Sequence, residues 1–233
     1  MAETQSVVNQ FIQNIQQTES SFNNNLATVV NGLSGLSDRQ LIDAIGQLNL
    51  FDELINAGYG NALNNLENGY GELLQDSIAL AQSRGIAFTT GEGLQGLKTL
   101  QELQTADLLG EAQRHSTKLT NLIFQNLYNG RPSNEVVDLL TQTKLADYQL
   151  NVAVDTAIKT FDDTARYQVF KGQDVRWTYF GVLDDRTRDS CRETILNEPK
   201  EGYTEEQIKS KKVRTKFGTR GGFNCRHSWT LKA

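Results

Sequence analysis

The sequence predicts a mainly α-helical protein, with a body of long helices over residues 1–171 followed by a small α+β domain over residues 172–233. Three observations carry that expectation. Before Gly172, apolar residues recur at three- and four-residue steps, the period of a helix with one buried face. Beyond Gly172, aromatics alternate with polar residues among glycines and basic side chains, the period of a strand with one buried face. Only 2 prolines, 38% hydrophobic and 22% charged residues suit an ordered, largely helical chain rather than a disordered one.

The elements follow in order. Val8, Phe11, Ile12, Ile15, Phe22, Leu26, Val29 and Val30 mark one face of a first helix over residues 5–30, whose other face is almost all Gln and Asn. Such a helix suits packing against a neighbouring helix or another chain, or an amphipathic place on the surface. Ser37-Asp38-Arg39-Gln40 reads as a capping box, in which the Ser37 hydroxyl and the Gln40 amide satisfy free N–H groups at a helix start. A short helix follows to about Leu48. Residues 61–84 carry Leu63, Leu66, Leu73, Leu74, Ile78, Leu80 and Ala81 and stop at Gly85, with Gly69 and Gly71 weakening the middle. A leucine-rich stretch from Leu94 to Tyr128 ends at Gly130 with Pro132 just beyond, and Ser133 is placed to cap the next helix. The clearest stripe, Leu150, Ala153, Val154, Ala157, Ile158, Phe161, Ala165 and Val169, runs to a stop at Gly172. Val175, Trp177 and Tyr179 then alternate with Arg176 and Thr178 as a strand. Thr204-Glu205-Glu206-Gln207 is a second capping box, placing one short helix between that strand and a glycine-rich C-terminal segment.

Composition bounds the function. Two cysteines are too few for a disulfide scaffold. No apolar run reaches membrane-spanning length. The opening MAETQSVVNQ lacks the basic stretch and apolar core of a secretory signal, so synthesis in the cytosol is expected. The net charge of −5 conceals an asymmetry: residues 171–233 hold 14 Lys and Arg against 9 Asp and Glu, leaving 9 against 19 in the remainder. The basic end is either an ordinary solvated surface or a face meeting nucleic acid or an acidic partner. Lys211, Lys212, Arg214 and Lys216 are the side chains that would touch nucleic acid.

There is no P-loop, nucleophile elbow, HExxH or dinucleotide-binding glycine fingerprint. Chemistry concentrates in Asp184-Asp185-Arg186-Thr187-Arg188-Asp189-Ser190-Cys191 and Gly221-Gly222-Phe223-Asn224-Cys225-Arg226-His227. Zinc would accept Cys191, Cys225 and His227, with Asp184 or Asp185 as a fourth ligand. The single residue between Cys225 and His227, and the isolation of Cys191, argue against it, so no cofactor is expected. A Cys191–Cys225 disulfide would contribute ~3 kcal/mol by closing its loop, although cytosolic assembly favours two packed thiols. Cys191 or Cys225 with His227 could pair thiol and base, and His227 with Asp184 could form a nuclease centre. Neither has partners that the sequence can place, so no residue is assigned as catalytic and no enzymatic activity is expected. Arg186, Arg188 and Arg226 lie among Asp184, Asp185 and Asp189, which predicts guanidinium–carboxylate pairs locking the two segments together. Gly221 and Gly222 allow a tight or left-handed backbone before Asn224, while Trp177, Tyr179, Phe223 and Trp229 are expected to fill the small core. His115, beside Arg114 in a polar stretch, is expected at the surface.

A strand with Trp177, the Asp185-Arg186-Thr187 turn, Cys191 and the closing Asn224-Cys225-Arg226 resemble the C-terminal domain of the phage Mu F-like head morphogenesis family, the minor head or minor capsid proteins. Gly130-Arg131-Pro132-Ser133-Asn134-Glu135 and the helix carrying Ala165-Arg166 resemble the helical region before that domain. The chain departs from the family's cysteine and histidine pattern at Arg188, Gly222 and His227. What the resemblance implies is a low-copy structural component of the virion, made in the host cytoplasm and placed at the head or portal vertex. It would act in head assembly, DNA packaging or genome delivery, with the portal protein, the major capsid protein and packaged DNA as partners. The competing readings are a small phage-encoded nuclease or other enzyme centred on Cys191, Cys225 and His227, and a DNA-binding accessory module.

Overall fold

The computed structural model describes residues 2–88 and 91–232. It is mainly helical with a small α+β part, as the periodicity predicts. In chain order the elements are α1 (Ala2–Leu33), α2 (Asp38–Gln47), α3 (Leu50–Leu54), a π-helical turn (Ile55–Tyr59), α4 (Gly60–Ser83), α5 (Glu92–Tyr128), α6 (Ser133–Gln142), α7 (Tyr148–Phe170), β1 (Trp177–Phe180), α8 (Asp189–Leu196), α9 (Glu205–Lys209) and β2 (Ser228–Leu231).

The predicted punctuation is mostly where the sequence puts it. Gly85, Gly130 and Gly172 follow α4, α5 and α7 with φ of 72°, 73° and 75°, the left-handed backbone that ends a helix at low cost only in glycine. Both capping boxes close. The Gln40 side chain accepts from the Ser37 N–H at 3.1 Å, and the Gln207 side chain accepts from the Thr204 N–H at 2.8 Å while Thr204 Oγ1 accepts from the Gln207 N–H at 3.2 Å. Ser133 departs from expectation: it is the first helical residue of α6, and Pro132 takes the cap position without a side-chain hydrogen bond. Gly69 does not break α4, because a Cβ there would lie 2.6 Å from Val7 Cγ1; the residue is small so that α1 can pack closely.

Contacts divide the chain into two compact units, and the boundary predicted at 171/172 is not where they fall. One unit comprises residues 9–66 and 105–151. Its core includes Phe11, Ile15, Phe22, Leu26, Val30, Leu54, Tyr59, Leu119, Ile123 and Leu140, all buried. Tyr59 meets Phe11 edge-on at 6.5 Å and donates its hydroxyl to the Leu108 carbonyl at 2.7 Å. The π turn that delivers Tyr59 depends on Gly58, whose φ is 134° and whose missing Cβ would stand 2.8 Å from Thr18 Oγ1. His115 is half-buried here rather than at the surface, and burial and Lys118 push its imidazole down to about 4.

The other unit comprises residues 1–8, 67–104 and 152–233. The chain after Gly172 is therefore not a separate body: it shares a core with α7 and the end of α4. Ala81, Val169 and Phe170 are buried in one cluster with Trp177, Tyr179, Cys191, Tyr203, Ile208, Val213, Phe217, Cys225, Trp229 and Leu231. The physical reason lies in the sheet. β1 and β2 form an antiparallel pair in which Trp177 faces Leu231 and Tyr179 faces Trp229, and a two-stranded sheet is marginal in water without a partner layer. α7 supplies that layer. Arg166 donates to the Trp229 carbonyl at 2.9 Å, and the Trp229 N–H donates to Asp163 Oδ2 at 3.2 Å. Phe217 wedges between Tyr167, stacked at 4.4 Å, and Trp177, edge-on at 4.6 Å. The segment between the strands holds α8 as well as α9, where the sequence predicts one helix, because the run Asp189–Leu196 shows little periodicity in its eight residues.

Candidate functional site

The residues singled out from sequence converge at one end of the β1–β2 pair. Tyr179 lies on β1, Cys191 in the first turn of α8, and Cys225 and His227 in the short segment between the glycine turn and β2. Cys191 and Cys225 are free thiols whose sulfurs lie 3.7 Å apart. His227 Nδ1 is 3.8 Å from Cys225 Sγ, and one donor atom from each of the three residues falls within 4.8 Å of the others. Their exposures of 1%, 2% and 2% seal them from solvent.

Local backbone explains how residues so close in sequence reach one point. Gly222 has φ 94° and Asn224 φ 57°, so the chain reverses between Gly221 and Cys225. After that reversal Cys225 and His227 flank exposed Arg226 and are both buried, alternate residues of the segment that leads into β2. Gly221 permits the approach: a Cβ there would stand 2.2 Å from Cys191 Sγ and 3.0 Å from Cys225 Sγ. Gly181 does the same for His227, its missing Cβ lying 2.4 Å from His227 Cδ2.

Hydrogen bonds fix the chemical state of the cluster. His227 Nε2 is 3.0 Å from the Val182 carbonyl, which can only accept, so Nε2 carries a proton. Burial holds the imidazole below its ordinary pKa, and the neutral ring then presents the Nδ1 lone pair to Cys225. The Tyr179 hydroxyl sits 3.5 Å from Cys191 Sγ and 3.3 Å from Cys225 Sγ, and burial pushes its pKa upward. Burial likewise raises the Cys191 thiol. At Cys225 burial is outweighed by hydrogen bonds from Tyr179 and the backbone at His227 and Gly221 and by the charge on Arg220, which together draw its pKa below the ordinary value.

A rigid frame surrounds the cluster. The Asp184 carboxylate receives both Arg226 nitrogens at 2.7 and 2.6 Å, which holds it well below the usual carboxylate range. That pair matches expectation and commits Asp184 to arginine rather than to a metal. Arg188 instead donates to the carbonyls of Gly221 and Phe223 at 3.0 and 2.6 Å, tying α8 to the glycine turn. Thr187 Oγ1 donates to the Val182 carbonyl at 3.0 Å and accepts from the Asp184 N–H at 2.9 Å. Asp185 and Arg186 are exposed, and the Arg186 N–H donates to Asp184 Oδ1 at 3.0 Å. Phe223, predicted in the core, is 62% exposed because the left-handed turn directs it outward. Trp177, Tyr179 and Trp229 are buried as predicted.

The basic set does not behave as one group. Lys211 and Lys212 are exposed, and Arg214 lies 3.6 Å from Glu193. Lys216 turns inward, donating to the carbonyls of Ile208, Ser210 and Val213, and burial lowers its pKa. It staples the loop after α9 and is unavailable to a phosphate.

Two residues that sequence reasoning overlooked complete the frame. Arg220 is 2% exposed and donates to the carbonyls of Cys225, His227 and Thr156 at 3.2, 3.3 and 3.3 Å. Its Nε stands 4.0 Å from Asp163, also buried. No pattern around Arg220 announces this role. The Tyr179 hydroxyl was legible in principle, since a tyrosine on a buried strand face must find a partner for its O–H.

Asp163 sets a pH dependence. Burial pushes its carboxyl up to about 8, against the pull of Arg220 and Arg166 and the Trp229 N–H. An acid raised in the folded state binds its proton when the unfolded chain has lost it, so its stabilising contribution is full below the unfolded value of 3.8 and is lost as pH rises to about 8. Asp163→Asn, which cannot titrate, is expected to flatten this decline. Urea midpoints at about pH 5 and about pH 8 for both proteins measure it, and equal slopes would refute the assignment.

Comparison with known protein families, with curated proteins and with solved structures returned no match to this chain, so its own residues carry the functional argument.

Proposed function

We propose that the chain is a bacteriophage minor head protein, a low-copy structural component of the virion that sits at the head or portal vertex and acts in head assembly, DNA packaging or genome delivery. Supporting this reading is the burial of part of the set that carries the resemblance: Trp177, Thr187, Cys191 and Cys225 are at most 7% exposed, whereas Asp185, Arg186, Asn224 and Arg226 of the same pattern are exposed. A thiol and imidazole sealed at that depth offer no substrate a path, which disfavours the enzymatic alternative on this arrangement. The portal protein is the proposed main partner, with the major capsid protein and packaged DNA as further contacts. Among the described residues no helix is long and apolar enough to cross a membrane.

The test is quantitative mass spectrometry of nuclease-washed virions of the phage encoding this chain. Retention at a copy number comparable to the portal is expected. Absence from both mature particles and head precursors would overturn the proposal.

The inward turn of Lys216 leaves Lys211, Lys212 and Arg214 as the exposed basic side chains of the predicted set. Any DNA affinity should therefore be weak and sequence-independent. With about 0.9 units of slope per phosphate contact, the fall of log K against log salt should be no steeper than about −3. A steeper slope, relieved by Lys211→Ala and Lys212→Ala, would favour the DNA-binding accessory module.

A further inference from the structure

We propose that Cys191 Sγ, Cys225 Sγ and His227 Nδ1 bind one zinc ion at a closed structural site, with the Tyr179 hydroxyl at its fourth corner. The inference is independent of the head-protein reading, since it concerns only how this cluster is held together.

The distances carry it. Zinc–sulfur bonds of about 2.3 Å and zinc–nitrogen bonds of about 2.0 Å at tetrahedral angles separate two sulfurs by about 3.8 Å and a sulfur from a nitrogen by about 3.6 Å. The cluster holds Cys191 and Cys225 sulfurs at 3.7 Å and Cys225 Sγ to His227 Nδ1 at 3.8 Å. Tyr179 Oη stands 3.5 and 3.3 Å from the two sulfurs, near the spacing expected of an oxygen on the same ion. The remaining edge, from Cys191 to the imidazole, is within 4.8 Å and closes by a contraction of about 1 Å.

The surroundings supply what a metal-binding histidine needs besides its ligand atom. Val182 accepts from His227 Nε2, which fixes the ring and frees Nδ1, the usual second contact of a zinc-bound imidazole. Gly181 and Gly221 keep side chains out of the space around the ring and the sulfurs. Charge balances as well. Cys191 and Cys225 bind as thiolates, releasing their protons to solvent, and a dication with two thiolates and a neutral imidazole is uncharged overall, so its burial avoids the cost of isolating an ion. Two thiolates and an imidazole select zinc over calcium or magnesium, which prefer oxygen. The spacing that argues against zinc in the sequence, one residue between Cys225 and His227, leaves Arg226 exposed and both ligands on its buried side, and the apparently isolated Cys191 arrives on α8.

The experiment uses the full chain, purified under reducing conditions and stripped of metal, and titrated with cobalt(II) as the spectroscopic probe. Expected are a thiolate-to-cobalt charge-transfer band and the intense visible bands of a tetrahedral ion, saturating at one equivalent and abolished by one equivalent of zinc. Cys191→Ser and Cys225→Ser should each remove most of the charge-transfer intensity, and His227→Gln should weaken binding at least tenfold, with circular dichroism confirming that each variant is folded. Tyr179→Phe should keep binding but shift the visible bands. Zinc should raise Tm of the wild type. Because the wild-type titration decides the matter alone, variants that fail to fold do not rescue the idea. A weak octahedral cobalt spectrum, or a Cys191–Cys225 disulfide in chain whose thiols were alkylated before lysis, would overturn it.

Discussion

Replacing Arg220 with Met is expected to lower the unfolding free energy by about 3–5 kcal/mol, at about 1–3 kcal/mol for each buried carbonyl left without its donor. The guanidinium is the donor for three backbone carbonyls, those of Cys225, His227 and Thr156. The Cys225 and His227 carbonyls, which lie outside the strands, would lose this donor, while Thr156 lies within α7 and keeps its place in the helix. Asp163 would also lose its nearest positive charge, at 4.0 Å, and its carboxyl would rise further. The loss should therefore be larger above about pH 8, where the wild-type carboxyl ionises beside Arg220 and the variant's stays protonated, than at about pH 5, where both are protonated in the native state. Urea unfolding at the two pH values reads both effects. Adding Asp163→Leu removes the buried carboxyl and should recover part of the loss. A cost below about 1 kcal/mol at both pH values would mean that α7 and the cysteine turn are not held by this side chain.

Gly221→Ala is the second large effect, with an expected cost of about 3 kcal/mol or more, at or beyond the upper end for overpacking a core. The new methyl would meet Cys191 Sγ at 2.2 Å and Cys225 Sγ at 3.0 Å, and neither sulfur has room to withdraw, since both residues are buried and Arg188 ties the turn to α8. Gly222→Ala is the informative control. A Cβ at Gly222 meets nothing within 4 Å, but φ is 94°, so its cost should be backbone strain alone, roughly 1–2 kcal/mol. If the clash is the cause, Cys191→Ala combined with Gly221→Ala should be less damaging than the sum of the single changes. Additive losses in calorimetry or denaturant unfolding would assign the effect to the backbone instead.

The readable parts of the chain were those governed by neighbours in sequence. The stripe from Leu150 to Val169 becomes α7 with Val154, Ile158, Phe161 and Ala165 buried, because a helix turns at a fixed period and one face must leave water. Gly85, Gly130 and Gly172 end helices, and Ser37 and Thr204 begin them, because caps are satisfied within a few residues. The alternation at Trp177 and Tyr179 likewise predicts β1. Its partner β2 is not legible, since a strand's register depends on a segment some fifty positions away.

What only the tertiary structure decided is where the boundary lies and what the motif residues do. A break in texture at Gly172 looks like a domain edge, yet the two-stranded sheet needs α7 as its second layer, so residues 152–233 form one unit with parts of α1, α4 and α5. Lys216 looks like part of a basic surface and is an internal staple; Phe223 looks like core and is exposed; Arg220 carries no sequence signal and holds three carbonyls. The residue types of the Cys191, Cys225 and His227 cluster were written in the chain, while their approach to within 4.8 Å, with Tyr179 over both sulfurs, arose from a left-handed turn, two glycines and a short helix acting together. Local interactions fix local conformation over a few residues, whereas a site assembled from three elements exists only once long-range packing has paired them.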